Sequence, residues 1–491
     1  MKAENLLKNV EIKGVKNANL NEIYNLNISN VIDNFNNVGN NKNLCFVCIN
    51  GFNFDSHILV KNLNINNVSL IISEKELETN IPYVIVKNSR SALSFIASNF
   101  YNNPSEKLKV IGIIGTNGKT STTYLIKQLL NKQKIKCSLI GTSGVYINNK
   151  KLKETLTTPD PLLLNKLFSK MVKAKTEVVV LELSAHAISL NKVDFLFCDV
   201  LIFSNFSQDH LDFFKTMENY KNTKLSYFNK LHTKNAVINI DDNVGLELFN
   251  KLKAEKEINC YSYSIKNTSN VKAENVSLSL NNTKFNLKLF NEEYKIKTKV
   301  LCEFNVYNIL SAILSLSILN YKNNLIQNVN TLSPVKGRFN IIKISKNKFC
   351  IIDYAHTPES LIKVLESVKS LSNFNIISLF SCPGNRDETK RKLMGEIAYN
   401  FSKKIIISTD NPKFENPLII ASEIKKGAKE KGVVIEDRKT AIIYAIKNLK
   451  ENQVLLIIGK GTESYQDINN LKIPYSDYKT VYSCIKTLKN K

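Results

Sequence analysis

The chain has 491 residues, which at roughly 100–200 residues per domain implies two to four domains. Hydrophobic residues make up 43% and charged residues 23%, ordinary globular usage that excludes wholesale disorder. The net charge of +25, from 68 Lys and Arg against 43 Asp and Glu, invites an acidic partner: nucleic acid, an anionic membrane or a phosphorylated small molecule.

Only Arg90, Arg338, Arg386, Arg391 and Arg438 are arginines, and Trp is absent. The Asn, Ile and Lys bias fits an AT-rich genome, so much of the basic excess reads as solvated faces. The short runs Lys425-Lys426 and Lys429-Glu430-Lys431 suit such a face better than a phosphate track. Nine Cys at irregular spacing read as reduced thiols of a cytosolic protein. With no basic leader before an apolar run and no stretch of ~18 apolar residues, neither a signal peptide nor a spanning helix is expected.

Three regions follow in chain order, 1–107, 108–335 and 336–491. The first carries strand-like runs at Leu44 to Ile49, Val68 to Ile72 and Tyr83 to Val86, then a helix from about Ser89 to Phe100, and Asn103-Pro104-Ser105 marks its end. The second opens on the buried-strand run Lys109 to Ile114, a Gly-rich turn and a helix over Thr123 to Leu130. Further strands are predicted at Val178 to Leu181 and Val200 to Phe203, and this alternation argues for a parallel sheet covered on both faces. Period-two alternation in Phe285 to Phe290 and Tyr294 to Lys297 predicts antiparallel strands. The third region alternates again, with strands at Phe349 to Asp353, Ile376 to Phe380, Ile405 to Ser408 and Val454 to Ile458, a second open α/β sheet.

Gly115-Thr116-Asn117-Gly118-Lys119-Thr120-Ser121 lies between a strand and a helix, the context of a nucleotide phosphate loop. Its amides and the helix N-terminus would face phosphates. Lys119 would meet the β- and γ-phosphates and the Thr120 hydroxyl a Mg²⁺ ion. The strict eight-residue pattern fails at one place, where Ile113 stands for Gly. Glu182, ending its strand, is the candidate carboxylate ligand. His186, His210 and His356 also follow predicted strands, at the edge where open α/β sheets bind ligands. His210, beside Asp209 and Asp212, is the histidine best placed for metal or substrate. Cys382 to Asp387, Thr409 to Lys413 and Gly459 to Glu463 crowd one edge of the last sheet. Retaining Arg338, Arg386 and Arg391 in so Arg-poor a chain points to forked guanidinium contacts.

These motifs, with Thr157-Thr158-Pro159-Asp160-Pro161, Phe304-Asn305-Val306-Tyr307-Asn308 and Asp353 to Pro358, resemble the Mur ligases of bacterial cell-wall synthesis, at the step that forms the tripeptide. The likeness is strong over 101–241 and 302–466 and weak before residue 90, where Asp33-Asn34-Phe35 is the nearest counterpart of an Asp-Ser-Arg turn. It implies three α/β domains: a UDP-substrate domain, a central P-loop ATPase sheet with an antiparallel extension, and a C-terminal doubly wound Rossmann-like domain for the amino acid. The implied reaction uses ATP to join a diamino acid, meso-diaminopimelate first, to UDP-N-acetylmuramoyl-L-alanyl-D-glutamate through an acyl phosphate.

The resemblance places ATP on Gly115 to Ser121, Asn305, Asp353 and His356. It places two Mg²⁺ ions among Thr120, Glu182, His210 and a CO₂-derived carbamate on Lys224, which composition alone would read as a solvent-facing helix lysine. Arg338 is expected near the γ-phosphate. Thr157, Thr158, Ser184 and Lys192 would contact the dipeptide substrate, and Arg386, Asp410, Asn411, Lys413, Gly459 and Glu463 the diamino acid. A monomer in the cytoplasm is expected, with no nucleic-acid partner and no membrane insertion. The family's usual His is Thr462, the second of its paired serines is Ala185, an expected Arg is Lys192, and Lys413 stands where diaminopimelate-adding members carry Arg. Lysine, ornithine or a sulfur-containing diamino acid therefore stays an alternative. A folylpolyglutamate-type ligase and a non-catalytic basic nucleotide-binding protein are the more distant readings.

Overall fold

The computed structural model describes residues 1–52, 54–152, 156–371 and 373–489. The chain divides into two compact units, one of Met1–Ile114, Ile135–Leu201 and Thr223–Asn235, the other of Gly115–Lys134, Ile202–Asn222 and Ala236–Lys491.

In the first unit a five-stranded sheet runs in the order Ile12–Lys16, Tyr83–Val86, Val68–Ser73, Leu44–Val47 and Asn30–Ile32. It is parallel except for Ile12–Lys16. Leu44–Val47 is buried at every position, because apolar clusters pack on both faces; this is why it reads as a continuous apolar run and not an alternating one. The helix Ser89–Phe100 starts at the Asn88 cap, whose side chain accepts the Ser91 amide. The same unit holds Val178–Glu182 between Lys109–Ile114 and Cys137–Gly141, all parallel. Glu182 ends the central strand at full burial.

In the second unit, Val271–Leu278, Thr283–Leu289 and Glu292–Thr298 form the expected antiparallel run. The C-terminal sheet has six strands in the order Asn340–Ser345, Lys348–Asp353, Gln453–Ile458, Asn375–Phe380, Ser402–Ile407 and Gly432–Val434. Only its first strand is antiparallel to its neighbour, and two apolar clusters cover its two faces. Parallel strands put the loops after Asp353, Phe380, Ile407 and Ile458 on one edge, the edge that binds ligands in such folds. Arg438 anchors the end of Gln453–Ile458: fully buried, it donates to both oxygens of Asp477 at 2.9 Å and to the Ile458 carbonyl.

All nine cysteines are free thiols, as their spacing implied. Lys425 and Lys426 lie exposed on their helix. Among the described residues no helix is long and apolar enough to cross a membrane.

Candidate active site

The phosphate loop belongs to the second unit. Gly115 and Gly118 have φ of 152° and 88°, backbone that side chains rarely adopt. A Cβ on Gly115 would fall 1.9 Å from Ser204 Oγ, and one on Gly118 2.6 Å from Asn308 Oδ1. The loop is laced to the segment after Val200–Phe203. The Thr116 amide donates to Asn205 O and the Asn117 amide to Asn205 Oδ1, both at 2.9 Å. The Ser204 hydroxyl donates to Asn117 O at 2.7 Å, and the Ser207 amide donates to Thr116 Oγ1. Asn308 buttresses the far side: its Oδ1 accepts from Thr122, and its Nδ2 donates to Asn305 Oδ1. Asn305 is thereby a buried support of the loop.

Helix Lys119–Lys132 springs from Gly118, so its N-terminal amides, which have no helical carbonyl one turn back, form an anion cradle. Lys119 Nζ donates to Gly115 O and Thr116 O at 2.8 Å. Arg338 Nη2 donates to Thr120 Oγ1 at 3.0 Å while its guanidinium stacks on the Tyr354 ring at 4.3 Å. Asp353 is 5% exposed, and its two oxygens accept the Phe339 and Ala355 amides at 2.7 Å. Burial raises its pKa.

His210 has a left-handed backbone (φ 56°) and sits with its Nε2 3.3 Å from Asp209 Oδ2; His356 Nε2 lies 3.9 Å from the same oxygen. Burial would raise the Asp209 carboxyl, but His356, His210, Lys390 and Lys119 bring it down to about 2. Burial lowers the His356 pKa against the pull of Asp209.

At the C-terminal edge of the six-stranded sheet, Lys460 is fully buried. Its Nζ reaches Asp410 Oδ1 at 3.3 Å, Asn411 Oδ1 at 2.8 Å and Glu463 Oε2 at 2.9 Å. Asn411 also donates to Glu463. Gly459, at φ 114°, leaves room for Asp410, whose Oδ2 would lie 2.6 Å from a Cβ there. Arg386 lies 3.6 Å from Asp212. The Lys413 pKa is lowered by burial and by Arg386.

In the first unit, Glu182 is 1% exposed, and its carboxylate accepts the Thr142 amide at 3.1 Å and hydroxyl at 3.0 Å. Thr142 also meets the Thr157 hydroxyl. The Thr158 hydroxyl lies 2.8 Å from Glu182 O and 3.2 Å from Ser184 Oγ. Lys192 pairs with Asp160 at 2.6 Å. Lys224, on the helix Met217–Leu225, is 1% exposed, which removes the solvent-facing reading of that lysine.

Of the predicted residues, the second unit thus gathers Gly115 to Ser121 with Asn305 and Arg338, sets His210 and His356 about Asp209, and clusters Asp410, Asn411, Gly459 and Glu463. The first gathers Thr157, Thr158, Glu182 and Ser184. Arg391 does make forked contacts, but internally, to Glu415 and Glu423 at 2.8 Å. Lys460, Tyr354, Asn308 and Thr142 were not singled out from sequence, although all except Thr142 lie inside motifs that were. Thr142 follows the strand Cys137–Gly141, and that strand-end position was its only signal.

An anion cradle after a buried strand and a charged cluster at a sheet edge suit an enzyme that binds a phosphorylated ligand and a charged small molecule. Residues 113–316 match the Mur ligase middle domain and residues 337–461 the Mur ligase, glutamate ligase domain. A UDP-N-acetylmuramoyl-L-alanyl-D-glutamate--2,6-diaminopimelate ligase of Caldanaerobacter subterraneus subsp. tengcongensis is 37% identical over 441 residues, 89% of this chain and 90% of the relative. The protein of the same name from Clostridium tetani is 35% identical over 99% of this chain and 100% of its own. The chain belongs to the Mur ligase family. A solved structure of a ligase of that name shares the fold, with a TM-score of 0.70 at 24% identity and complete coverage of both chains.

Proposed function

We propose that the protein adds meso-diaminopimelate to UDP-N-acetylmuramoyl-L-alanyl-D-glutamate, an ATP-dependent step of peptidoglycan precursor synthesis. The observation that carries this reading is the phosphate loop laced to Asn205–Ser207 on one side and capped by Arg338 on the other. Kinship over nearly the whole length to ligases of that name supports the choice of substrates.

ATP bound at the loop supplies the phosphoryl group that activates the D-glutamyl carboxylate. That carboxylate and the triphosphate repel each other, so cations must bring them together. Lys119 turns from the loop carbonyls to the phosphates, and the backbone amides of 115–121 hold the β-phosphate. Arg338 offers the γ-phosphate a forked donor. The Thr120 hydroxyl and the Glu182 carboxylate are hard oxygen donors of the kind Mg²⁺ takes. Among the described residues no group of three or more His, Cys, Asp and Glu side chains is gathered to hold a metal ion. A second ion at His210 and a carbamate on Lys224, formed as its amine adds to CO₂ and loses a proton, complete the proposed metal set.

In this reading Thr157, Thr158, Ser184 and Lys192 orient the dipeptide substrate. Asn305 and His356 flank the adenine, and Asp353 lies at the ribose. Arg386, Asp410, Asn411, Lys413, Gly459 and Glu463 bind the diamino acid, whose amine displaces phosphate from the acyl phosphate. Residues 1–107 bind the UDP portion, 108–335 the ATP and 336–491 the amino acid, and the protein works as a cytoplasmic monomer without nucleic acid. The test is phosphate release from ATP with the UDP-linked dipeptide and a panel of diamino acids. Release with diaminopimelate above lysine and ornithine is expected, and no release with any diamino acid refutes the reading.

A further inference from the structure

We propose that Tyr354 is a positioning residue that couples the phosphate loop to the diamino-acid pocket: its ring carries Arg338 and its hydroxyl holds Glu463. The inference rests on the ligase reading above and concerns how its two sites communicate.

The chain of contacts is continuous within the second unit. Thr120, at the head of the phosphate-loop helix, accepts from Arg338 Nη2 at 3.0 Å. The Arg338 guanidinium lies 4.3 Å from the centre of the Tyr354 ring, inside the range of cation–π attraction. The Tyr354 hydroxyl donates to Glu463 Oε1 at 3.3 Å. The other oxygen of Glu463 accepts from Lys460 and Asn411, both at 2.9 Å. The root of Tyr354 is held in place. Its Cβ would lie 2.9 Å from a Cβ on Gly461, so the loop after Gln453–Ile458 closes against its root. Its neighbour Asp353 is pinned by the Phe339 and Ala355 amides. Burial, with Glu463 close by, pushes the hydroxyl pKa up, so at neutral pH it remains a donor.

Two consequences follow. An arginine drawn toward a γ-phosphate must slide on or leave the ring, and a carboxylate that takes up a substrate ammonium must shift against the hydroxyl. Each move alters the surface the other ligand meets, and such coupling is reciprocal. Tyr354 itself touches no reacting atom in this account.

The experiment uses full-length protein and the variants Tyr354→Phe and Tyr354→Leu. The first keeps the ring and loses the hydroxyl; the second loses both. Steady-state kinetics give KM for ATP and for diaminopimelate. Calorimetry gives diaminopimelate affinity with and without a non-hydrolysable ATP analogue, and analogue affinity alone. Tyr354→Phe is expected to raise KM for diaminopimelate about tenfold, the size of one lost bond to a charged group, with analogue affinity in the absence of diaminopimelate unchanged. It should also collapse the gain in diaminopimelate affinity that the analogue confers. Tyr354→Leu should in addition weaken analogue binding and lower kcat. A Tyr354→Phe enzyme that keeps both its diaminopimelate KM and the analogue-dependent gain overturns the proposal. So does one that binds the analogue more weakly even without diaminopimelate while its thermal midpoint falls, the mark of a structural role. Wild-type protein inactive with every diamino acid would instead refute the ligase reading.

Discussion

Replacing Lys460 by Met removes the buried cation that pairs with Asp410 and Glu463 while keeping a long apolar stem. The Lys460 side chain is fully buried, the Asp410 side chain 6% exposed and the Glu463 side chain 22% exposed. Removing one partner of a buried ion pair costs about 3–5 kcal/mol, because the remaining charge stays desolvated. Water reaches Glu463 and can solvate it, so the lower end applies, about 3 kcal/mol, set almost wholly by Asp410. At an unfolding entropy of about 2.1 cal/mol/K per residue, a unit of roughly 300 residues shifts by about 1.6 °C per kcal/mol, so the thermal midpoint of the variant should fall by about 5 °C. Asn411 loses the 2.8 Å bond that orients its carbonyl oxygen, so KM for the diamino acid should rise while KM for ATP does not. Adding Asp410→Asn to the variant should recover part of the lost stability, since it neutralises the stranded charge. Differential scanning calorimetry and steady-state kinetics on the full chain provide the readouts. A midpoint within about 2 °C of wild type, with an unchanged amino-acid KM, would refute the reasoning.

Lys224→Ala should lower kcat by about ten- to a hundredfold, as loss of a residue that orients a metal does, with partial recovery on adding a small carboxylate; wild-type turnover removes the carbamate. Lys413→Arg should lower KM for diaminopimelate about tenfold by turning a point contact into a forked one, and loss of activity would mean a pocket built for another amino acid. Gly118→Ala forces a side chain into φ 88° and against Asn308, a strain of about 1–2 kcal/mol before any repacking; weaker binding of an ATP analogue by calorimetry is the expected result. Asp241 accepts from Ser264, Tyr307 and the Ile265 and Lys266 amides, and these bonds outweigh burial and depress its pKa. A depressed carboxylate contributes stability present above its ordinary value near ~3.9 and lost as pH falls through the folded value. Asp241→Asn should therefore flatten the acid limb of the stability–pH curve, and an unchanged limb would show that Asp241 carries none of it.

The sheets were legible because their signal is local. Lys109–Ile114, Val178–Glu182 and Gln453–Ile458 are apolar runs of strand length, covered on both faces. The phosphate loop was legible for the same reason: a turn, a cation and a hydroxyl stand in consecutive positions. The start of its helix was not, because the pattern becomes apolar only at Leu125, while the helix begins at Lys119, six residues earlier. Lys224 was illegible because the helix Met217–Leu225 is polar nearly throughout, so no amphipathic stripe tells which face is buried. Tyr354 and Lys460 lie in motifs visible in sequence. Their partners Arg338, Asp410 and Glu463 are set by how parallel strands distant in the chain share an edge, and no short-range pattern encodes that.

The arginines draw a sharper line between what sequence scarcity can and cannot mean. In a chain this rich in lysine, Arg338, Arg386 and Arg391 were expected to mark forked contacts, but Arg391 forks only onto internal carboxylates, Arg338 gives one N–H to Thr120, and Arg386 meets Asp212 through a single 3.6 Å pair. Arg438 forks onto Asp477 at zero exposure, and Arg391 bridges Glu415 and Glu423. Glu415 in turn accepts the Asn385 amide, so Arg391 ties the loop bearing Arg386 to the loop bearing Lys413 from beneath. Arg338 alone combines a hydroxyl of the phosphate loop with an aromatic face, a pairing that an ammonium serves worse because it is compact and strongly hydrated. Scarcity thus selects for geometry, and geometry for either of two ends: holding the sheet edge rigid, or presenting a planar donor on it. Burial separates them, since the guanidinium groups of Arg391 and Arg438 are sealed among carboxylates while that of Arg338 reaches the phosphate loop.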